Sequence, residues 1–556
     1  MSALRRLAPL GAGLLLFTTA CTSGSGGPGG AEGGGSAPPA TDAEAAERAE
    51  AVLGEMSLDD KVGQLFVLTV AGTTPEENAQ SLADYRPGGL IYFPENLGSG
   101  AEIAALSNGL QETAAEEGAG VPLMIGVDQE QGMVARLEEG TRFPDAMAVG
   151  ATRDTGQAQA LASATAAELA AVGINLDYAP VADVNTDADN PVIGIRSFGA
   201  DPGLVGEMAA AEAGAFADGG VVPVVKHFPG HGDTGTDSHT GLPVIDKDRA
   251  DWERDDLPPF ADAVEAGVDA IMTAHVVMPA LDDSGEPATL SPQVIDGVLR
   301  DELGYDGVVT TDALNMEGVR QTHDDGEVAV RAVEAGADQL LMPPDPQAAF
   351  TAVRSAVEEG RIGEDRLDES VRRILELKAK RGILDAEPVD PDGAEEVFSS
   401  DETAQAAQDL ADASVTLLRN EGGALPVGEG AQVAVQGVGA EEISAALEDL
   451  GVRTTGTASG ADLVVVGTDG ARGDAEQRRA VEQAASGGAP VAVVAQGTPY
   501  DLQALEGVDA YLAVYSSVPV SRTAAARAIA GEVGPKGKLP VPIPETGMEY
   551  GDGLSY

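Results

Sequence analysis

Val221-Val222-Pro223-Val224-Val225-Lys226-His227-Phe228-Pro229-Gly230-His231-Gly232-Asp233-Thr234, followed closely by Asp237-Ser238-His239, is where this chain passes from a hydrophobic run to polar chemistry. Its first five residues are apolar and mostly β-branched, the pattern of a strand buried on both faces. Pro, Gly and small polar residues then follow, which neither prolong a strand nor begin a helix. A buried strand therefore ends in a long loop. That loop holds Lys226, two aspartates and three of the chain's five histidines. Packing asks for no such mixture, and loops on rigid scaffolds are where chemistry is usually placed.

Similar apolar runs recur on either side, at 62–70, 89–93, 123–128, 174–184, 270–277, 307–311 and 339–342. Ala-rich helical stretches separate most of them, as at 156–171, 204–217 and 252–266. Near-continuous apolar strands alternating with helices predict a parallel sheet covered on both faces. Eight such units in roughly 300 residues suit a (β/α)8 TIM barrel. A doubly wound open sheet is the rival that pattern alone leaves open. The barrel reading puts catalytic groups at the C-terminal ends of strands. Asp128-Gln129-Glu130, Asp183, Lys226-His227, His275 and Thr311-Asp312 all fall there.

The barrel domain is expected over 42–384, opened by a helix at 42–56 and closed by one at 364–380. Residues 385–400, with several Pro and Asp, read as a linker. Strands at 414–418, 433–438, 463–467, 491–495 and 511–515 then predict a smaller α/β sandwich domain over 401–556. Gln436-Gly437-Val438-Gly439 lacks the third glycine of a dinucleotide loop and reads as a strand-to-helix turn.

The N-terminus points to a compartment. Arg5 and Arg6 precede an apolar run at 7–17 that is too short to cross a bilayer as a helix, which predicts a signal peptide over 1–20. Cys21 is the only cysteine, so no intramolecular disulfide can form. It follows Ala20 and reads as a lipobox cysteine, with 21–41 a Gly/Ser/Pro tether. Export, by the Sec or Tat route, and a lipid anchor on the outer face of the cell membrane are expected. The formal net charge of −59 argues against nucleic acid and anionic lipid surfaces as partners.

Three readings of the central loop compete. Zinc has suitable ligands in His227, His231, Asp233, Asp237 and His239. However, Pro229-Gly230 forbids the helix that would put His227 and His231 on one face, and there is no Cys partner or HExxH motif. No metal or other cofactor is expected. His231 reads as a loop-shaping residue, its ring bonded to backbone. Asp237 and His239, two apart, read as an acid/base pair in which the carboxylate fixes the imidazole tautomer. Asp312, at the tip of an apolar strand, is either the N-cap of the next helix or an attacking carboxylate.

The run KHFPGHGDTGTDSHTGLP at 226–243 resembles the signature of the β-N-acetylhexosaminidase branch of glycoside hydrolase family 3. Val127-Asp128-Gln129-Glu130 resembles the family's sugar-binding segment. Asn190-Pro191-Val192-Ile193-Gly194-Ile195-Arg196-Ser197-Phe198-Gly199 resembles its Arg-bearing loop, and Thr311-Asp312-Ala313-Leu314-Asn315-Met316 its nucleophile segment. The second domain also resembles that of two-domain members, with Gly534-Pro535-Lys536-Gly537-Lys538-Leu539-Pro540 near its end.

The resemblance implies that Asp312 forms a covalent glycosyl-enzyme and that His239, paired with Asp237, protonates the leaving oxygen and then activates water. It implies Asp128, Arg196, Lys226 and His227 as holders of the non-reducing sugar, with Met316 beside them. Two positions depart from the family pattern. Gln131-Gly132-Met133 stands where Gly-Gly-Arg is common, a lost cation that Arg136 can replace, and Ala313 stands where a second Asp is common. The implied activity is that of a retaining exo-glycosidase releasing terminal β-linked N-acetylglucosamine, from peptidoglycan fragments or chito-oligosaccharides. A β-glucosidase or phosphorylase on the same scaffold is the enzymatic alternative. A cell-wall-binding lipoprotein without activity is the other.

Overall fold

The computed structural model describes residues 40–398 and 400–556. The leader, Cys21 and nearly all of the tether lie outside the described residues. Eight parallel strands follow one another: β1 (Phe66–Thr69), β2 (Gly89–Ile91), β3 (Met124–Val127), β4 (Leu176–Asp177), β5 (Val222–Phe228), β6 (Ala270–Thr273), β7 (Val308–Thr311) and β8 (Leu340–Leu341). Their order is β7-β6-β5-β4-β3-β2-β1-β8. The Thr311 amide donates to the Gln339 carbonyl at 3.0 Å and the Gln339 amide to the Val309 carbonyl at 3.0 Å, so β8 returns to β7. The sheet is therefore a barrel, and the open-sheet alternative falls away.

Val67, Ile91, Met124, Leu176, Val222, Val224, Met272 and Val308 fill the interior. Each such side chain, fully buried, contributes about 1.5–3 kcal/mol. The helix Glu364–Lys380 closes one end. It carries acids in its first turn and lysines in its last, matching the helix dipole, and it adds Ile374 and Leu377 to the inner cluster. Lys378 Nζ donates to Gln64 Oε1 at 2.9 Å, Arg381 Nε to Asp269 Oδ2 at 2.6 Å, and Arg373 pairs with Asp338 at 3.2 Å. Gln64, Asp269 and Asp338 immediately precede or lie just ahead of β1, β6 and β8, so this helix covers the N-terminal ends of the strands. The C-terminal ends are left for chemistry.

Several expected boundaries move. The run at 62–70 begins as the helix Leu58–Gln64, because Ser57 and Asp60 form a capping box that starts it. Of 174–184 only Leu176–Asp177 is continuous strand; Pro180 has no amide to give, and beyond it pairing is reduced to a single bridge between Val181 and Lys226. The helical stretch at 252–266 breaks at Asp256 into Arg249–Asp255 and Leu257–Glu265, with Pro258 and Pro259 in the first turn of the second piece. The expected linker at 385–400 contains the helix Pro391–Phe398. Its Ala394 is buried against Gly100 of the helix Gly100–Glu117.

A second sheet follows: β9 (Thr416–Asn420), β10 (Gln432–Gly437), β11 (Arg453–Thr455), β12 (Leu463–Thr468), β13 (Val491–Ala495) and β14 (Ala510–Ala513). Its order is β11-β10-β12-β13-β14-β9, parallel except where β9 runs antiparallel to β14. The short β11 was not visible in the hydrophobic pattern, since Arg453-Thr454-Thr455 is polar. Gln496 Nε2 donates to the Val438 carbonyl at 2.8 Å, closing the Gly437–Gly439 turn with a protein side chain. The turns after β12 and β13 face the barrel loop that follows β4. There Asn185 Nδ2 donates to the Tyr500 hydroxyl at 3.3 Å.

Candidate active site

The C-terminal end of β3 passes into Asp128-Gln129-Glu130, and its backbone is held from below. The Gln129 amide donates to Asp177 Oδ1 at 2.9 Å, while Gln129 Oε1 accepts the Arg136 amide at 2.7 Å. That second bond turns the loop back so that Arg136 Nη2 lies 3.8 Å from Asp128 Oδ2, with its guanidinium 5.7 Å from the Phe93 ring centroid.

Lys226, at the end of β5, crosses to the same place. Its ammonium lies 3.0 Å from Asp128 Oδ1 and 2.7 Å from Glu130 Oε1. An ammonium has three N–H donors, so one is left for a ligand. Arg196 grips Glu130 with two bonds, Nε to Oε2 at 2.8 Å and Nη2 to Oε1 at 2.7 Å. Burial alone would raise the Glu130 pKa, but Arg196 and Lys226 outweigh it and hold the carboxyl well below its usual range. For Lys226, burial acts to lower its pKa, and Glu130 with Asp128 more than reverses that. The result is an array of fixed, alternating charges, which is what bidentate recognition of sugar hydroxyls requires.

His227 points its Nδ1 at Asp183 Oδ2, 2.7 Å away, and Asp183 Oδ1 accepts the His227 and His231 amides at 3.2 and 2.7 Å. The carboxylate can only accept, so Nδ1 carries the proton and Nε2 is presented to the mouth. Burial pushes the Asp183 carboxyl up, and His227 and His231 together bring it below its ordinary value.

The remainder of the loop divides at Thr234. Up to there it is rigid: Trp252 Nε1 donates to the Pro229 carbonyl at 2.9 Å and Asn190 Nδ2 to the His231 carbonyl at 2.9 Å. A Cβ on Gly232 would sit 1.9 Å from the Val184 carbonyl oxygen, so only glycine fits. The His231 ring is not bonded to backbone, as expected from the sequence, but to two hydroxyls. Nδ1 lies 2.8 Å from Thr234 Oγ1 and Nε2 lies 2.9 Å from Ser238 Oγ. The Thr234 hydroxyl donates to the His231 carbonyl at 3.1 Å, which leaves it an acceptor for Nδ1–H and makes Nε2 the acceptor of the Ser238 proton. Burial, the largest cause, pushes the His231 ring down to about 4, so it stays neutral.

Ser238 is buried, and its neighbours Asp237 and His239 face outward. His239 Nδ1 lies 2.7 Å from Asp237 Oδ1, and the His239 side chain is 60% exposed. The Gly318 amide donates to the Ser238 carbonyl at 3.0 Å, tying this segment to the one that follows Asp312.

Asp312 follows β7 with its amide bonded to the Thr273 carbonyl at 3.1 Å, and its Oδ1 accepts the Ala313 amide at 2.7 Å. Desolvation pushes its carboxyl up. His275, His227, the Ala313 amide and Lys226 outweigh it, so the group is held below the ordinary value as an anion. His275 Nε2 lies 3.0 Å from the Ala313 carbonyl. Burial lowers the pKa of that ring more than Asp312 and the Ala313 carbonyl raise it, with His227 and His239 adding to the lowering. Met316 is buried, with its amide on the Ala313 carbonyl at 3.1 Å.

Asp128, Arg136, Arg196 and Lys226 thus meet in one connected array, with Asp312 linked electrostatically to Lys226 and to His227. Asp237 and His239 stand outside that array on an exposed tip. Glu130 and Asp183, the two carboxylates that organise the cations, were visible in the sequence only as ionisable residues at strand ends. Their partners are supplied by tertiary structure.

Residues 57–377 match the Glycosyl hydrolase family 3 N terminal domain and residues 415–555 the Glycosyl hydrolase family 3 C-terminal domain. The chain is 38% identical over 386 residues to Beta-hexosaminidase A of Pseudoalteromonas piscicida, covering 65% of this chain and 64% of that protein. It is 31% identical over 384 residues to the Beta-N-acetylglucosaminidase/beta-glucosidase of Cellulomonas fimi, covering 67% of each. Among solved structures, a family 3 beta-N-acetylglucosaminidase from Paenibacillus sp. str. FPU-7 aligns with a TM-score of 0.83 at 38% identity, over 88% of this chain and 99% of that one.

Proposed function

The chain belongs to glycoside hydrolase family 3, and from that premise we propose that it hydrolyses terminal β-linked N-acetylglucosamine with retention of configuration. The observation that carries this reading is the placing of an ionised carboxylate, Asp312, beside a charged sugar-holding array, with an Asp237–His239 pair on the same loop as Lys226 and His227. Asp128, Arg136, Lys226, Arg196 and His227 hold the hydroxyls of the non-reducing sugar. Asp312 attacks the anomeric carbon as His239 gives its Nε2 proton to the departing oxygen, which breaks the glycosidic bond and forms a glycosyl ester. His239, now neutral, takes a proton from water, and the resulting attack at the same carbon releases the sugar and restores Asp312. Asp237 holds Nδ1–H throughout and stabilises the imidazolium.

Peptidoglycan fragments or chito-oligosaccharides are the substrates of this reading, met outside the cell by an enzyme anchored through a lipid on Cys21. A comparison of p-nitrophenyl N-acetyl-β-glucosaminide with the β-glucoside, each with and without inorganic phosphate, tests it. Turnover of the N-acetylglucosaminide independent of phosphate supports it. Preference for the glucoside, or a requirement for phosphate, replaces it with a glucosidase or a phosphorylase. Binding of saccharide without turnover replaces it with a non-catalytic binder.

A further inference from the structure

Arg472 belongs to the second sheet, in the turn after β12, yet its side chain bonds the barrel loop after β4. Nη1 donates to the Ala188 carbonyl at 3.3 Å and Nη2 pairs with Asp189. Its own backbone is fixed, since its amide donates to Asp501 Oδ1 at 3.0 Å. Asp501 follows Tyr500, the residue that accepts from Asn185 of the same barrel loop.

The held segment leads straight to a sugar-holding residue. Asn190 follows Asp189, and its Oδ1 accepts the Val192 and Ile193 amides at 2.9 and 2.8 Å. The Val192 carbonyl then accepts from Arg196 Nη1 at 3.0 Å, and the Ile193 carbonyl accepts the Arg196 amide at 2.9 Å. Every link between Arg472 and Arg196 is a hydrogen bond or a covalent neighbour. Charge points the same way. Asp187, Asp189 and Asp233 gather here, and the Asp187 carboxyl is pushed up by burial and by Asp233, with Arg472 opposing. Arg472 is the cation from the second sheet that offsets this repulsion.

We propose that Arg472 is a positioning residue: through the 188–193 segment the second domain sets the placement of Arg196, and so the affinity for the non-reducing sugar. This rests on the reading above, in which Arg196 holds substrate. Asn190 Nδ2 also reaches the His231 carbonyl, but the Asp237–His239 pair hangs on the His231 ring and on Gly318, so binding should change more than turnover. The Arg472 side chain is one-third exposed (33%), so its loss should shift the loop without unfolding the chain.

Arg472→Ala, Arg472→Lys and Asp189→Ala, made in the full chain, test this with kinetics on p-nitrophenyl N-acetyl-β-glucosaminide. Arg472→Ala should raise KM roughly fivefold or more with kcat within about twofold. Arg472→Lys should recover part of the loss, and the Arg472→Ala/Asp189→Ala double variant should be no worse than the single one. Calorimetric Kd values for N-acetylglucosamine on wild type and Arg472→Ala read the same effect without turnover, so a wild type that hydrolyses nothing would sink the functional reading and still leave this one decided. An unchanged KM and Kd in Arg472→Ala overturn the proposal, as does an equal loss in Arg472→Lys.

Discussion

His239 Nδ1 lies 2.7 Å from Asp237 Oδ1, and the same oxygen accepts the His239 amide at 2.9 Å. One carboxylate oxygen thus fixes both the backbone and the ring of the proposed proton donor, over a gap of two residues. Replacing His239 by Ala should lower kcat by about 10²–10⁴-fold on substrates with poor leaving groups and less on activated aryl glycosides, which need little protonation. Asp237→Asn keeps an acceptor for the amide but loses the charge that stabilises the imidazolium, so kcat should fall most on the same poor leaving groups. Equal losses on both substrate types in His239→Ala would remove it from proton transfer.

Asp312 is held as an anion by surrounding positive ends, which suits attack on a carbon that becomes cationic in the transition state. Asp312→Ala should lose at least about 10³-fold in kcat. Azide added to that variant should restore turnover with an activated substrate and yield the glycosyl azide of inverted configuration, because the small anion enters from the vacated face. Normal turnover in the variant would place the nucleophile elsewhere.

The barrel was legible because strands buried on both faces read as unbroken apolar runs, and β5 through Val225 is one of them. What the runs could not show is where pairing stops. Residues 178–182 stay apolar after β4 because the mouth itself is packed, with Tyr178, Ala179, Val181 and Ala182 all buried. The loop at 226–239 stood out through composition, but its internal division did not. That division depends on partners far away in sequence: Asp183 for His227, Trp252 for Pro229, Gly318 for Ser238. Glu130 was likewise an acid at a strand end until Arg196 and Lys226 were brought to it.

Asp177 lies beneath the proposed sugar-holding array, fully buried, with Oδ1 on the Gln129 amide and no hydrogen-bond partner on Oδ2. Burial raises its carboxyl from 3.8 to about 8. Between those values the folded state holds a proton that the unfolded chain has lost. Stability therefore falls as pH rises through that window, by up to about 1.4 kcal/mol per pH unit for this group. Asp145, raised by burial to about 7, acts in the same direction. Asp177→Asn should keep the Gln129 bond and flatten the decline of Tm between about pH 5 and 8. An identical pH slope in thermal melts of variant and wild type would show that Asp177 does not carry this proton.

Cys21 is proposed to carry the lipid. In the native host, Cys21→Ala should move the protein from the membrane fraction to the soluble fraction without changing its turnover. Unchanged membrane retention would count against the anchor.

His231 does not reach the proposed reacting atoms, yet its ring spans Thr234 and Ser238, and Ser238 lies between Asp237 and His239. Residues 237–240 form a turn, with the Thr240 and Gly241 amides both on the Asp237 carbonyl at 3.0 Å, and fastening Ser238 inward on that turn leaves both members of the pair outward. Being neutral, the ring donates at Nδ1 and accepts at Nε2, which a charged imidazolium could not do. His231→Ala should therefore lower kcat by about tenfold or more while leaving the KM for the glycone largely unchanged. Ser238→Ala, which removes only the far end of the link, should reproduce most of that loss. The pH profile offers a further check, since protonating His231 near 4 makes Nε2 a donor and forces the Ser238 hydroxyl to turn and accept. The acid limb of kcat in wild type should then carry a component that vanishes in Ser238→Ala. If both variants instead raise KM with kcat preserved, His231 shapes the sugar pocket rather than the proton-transfer pair.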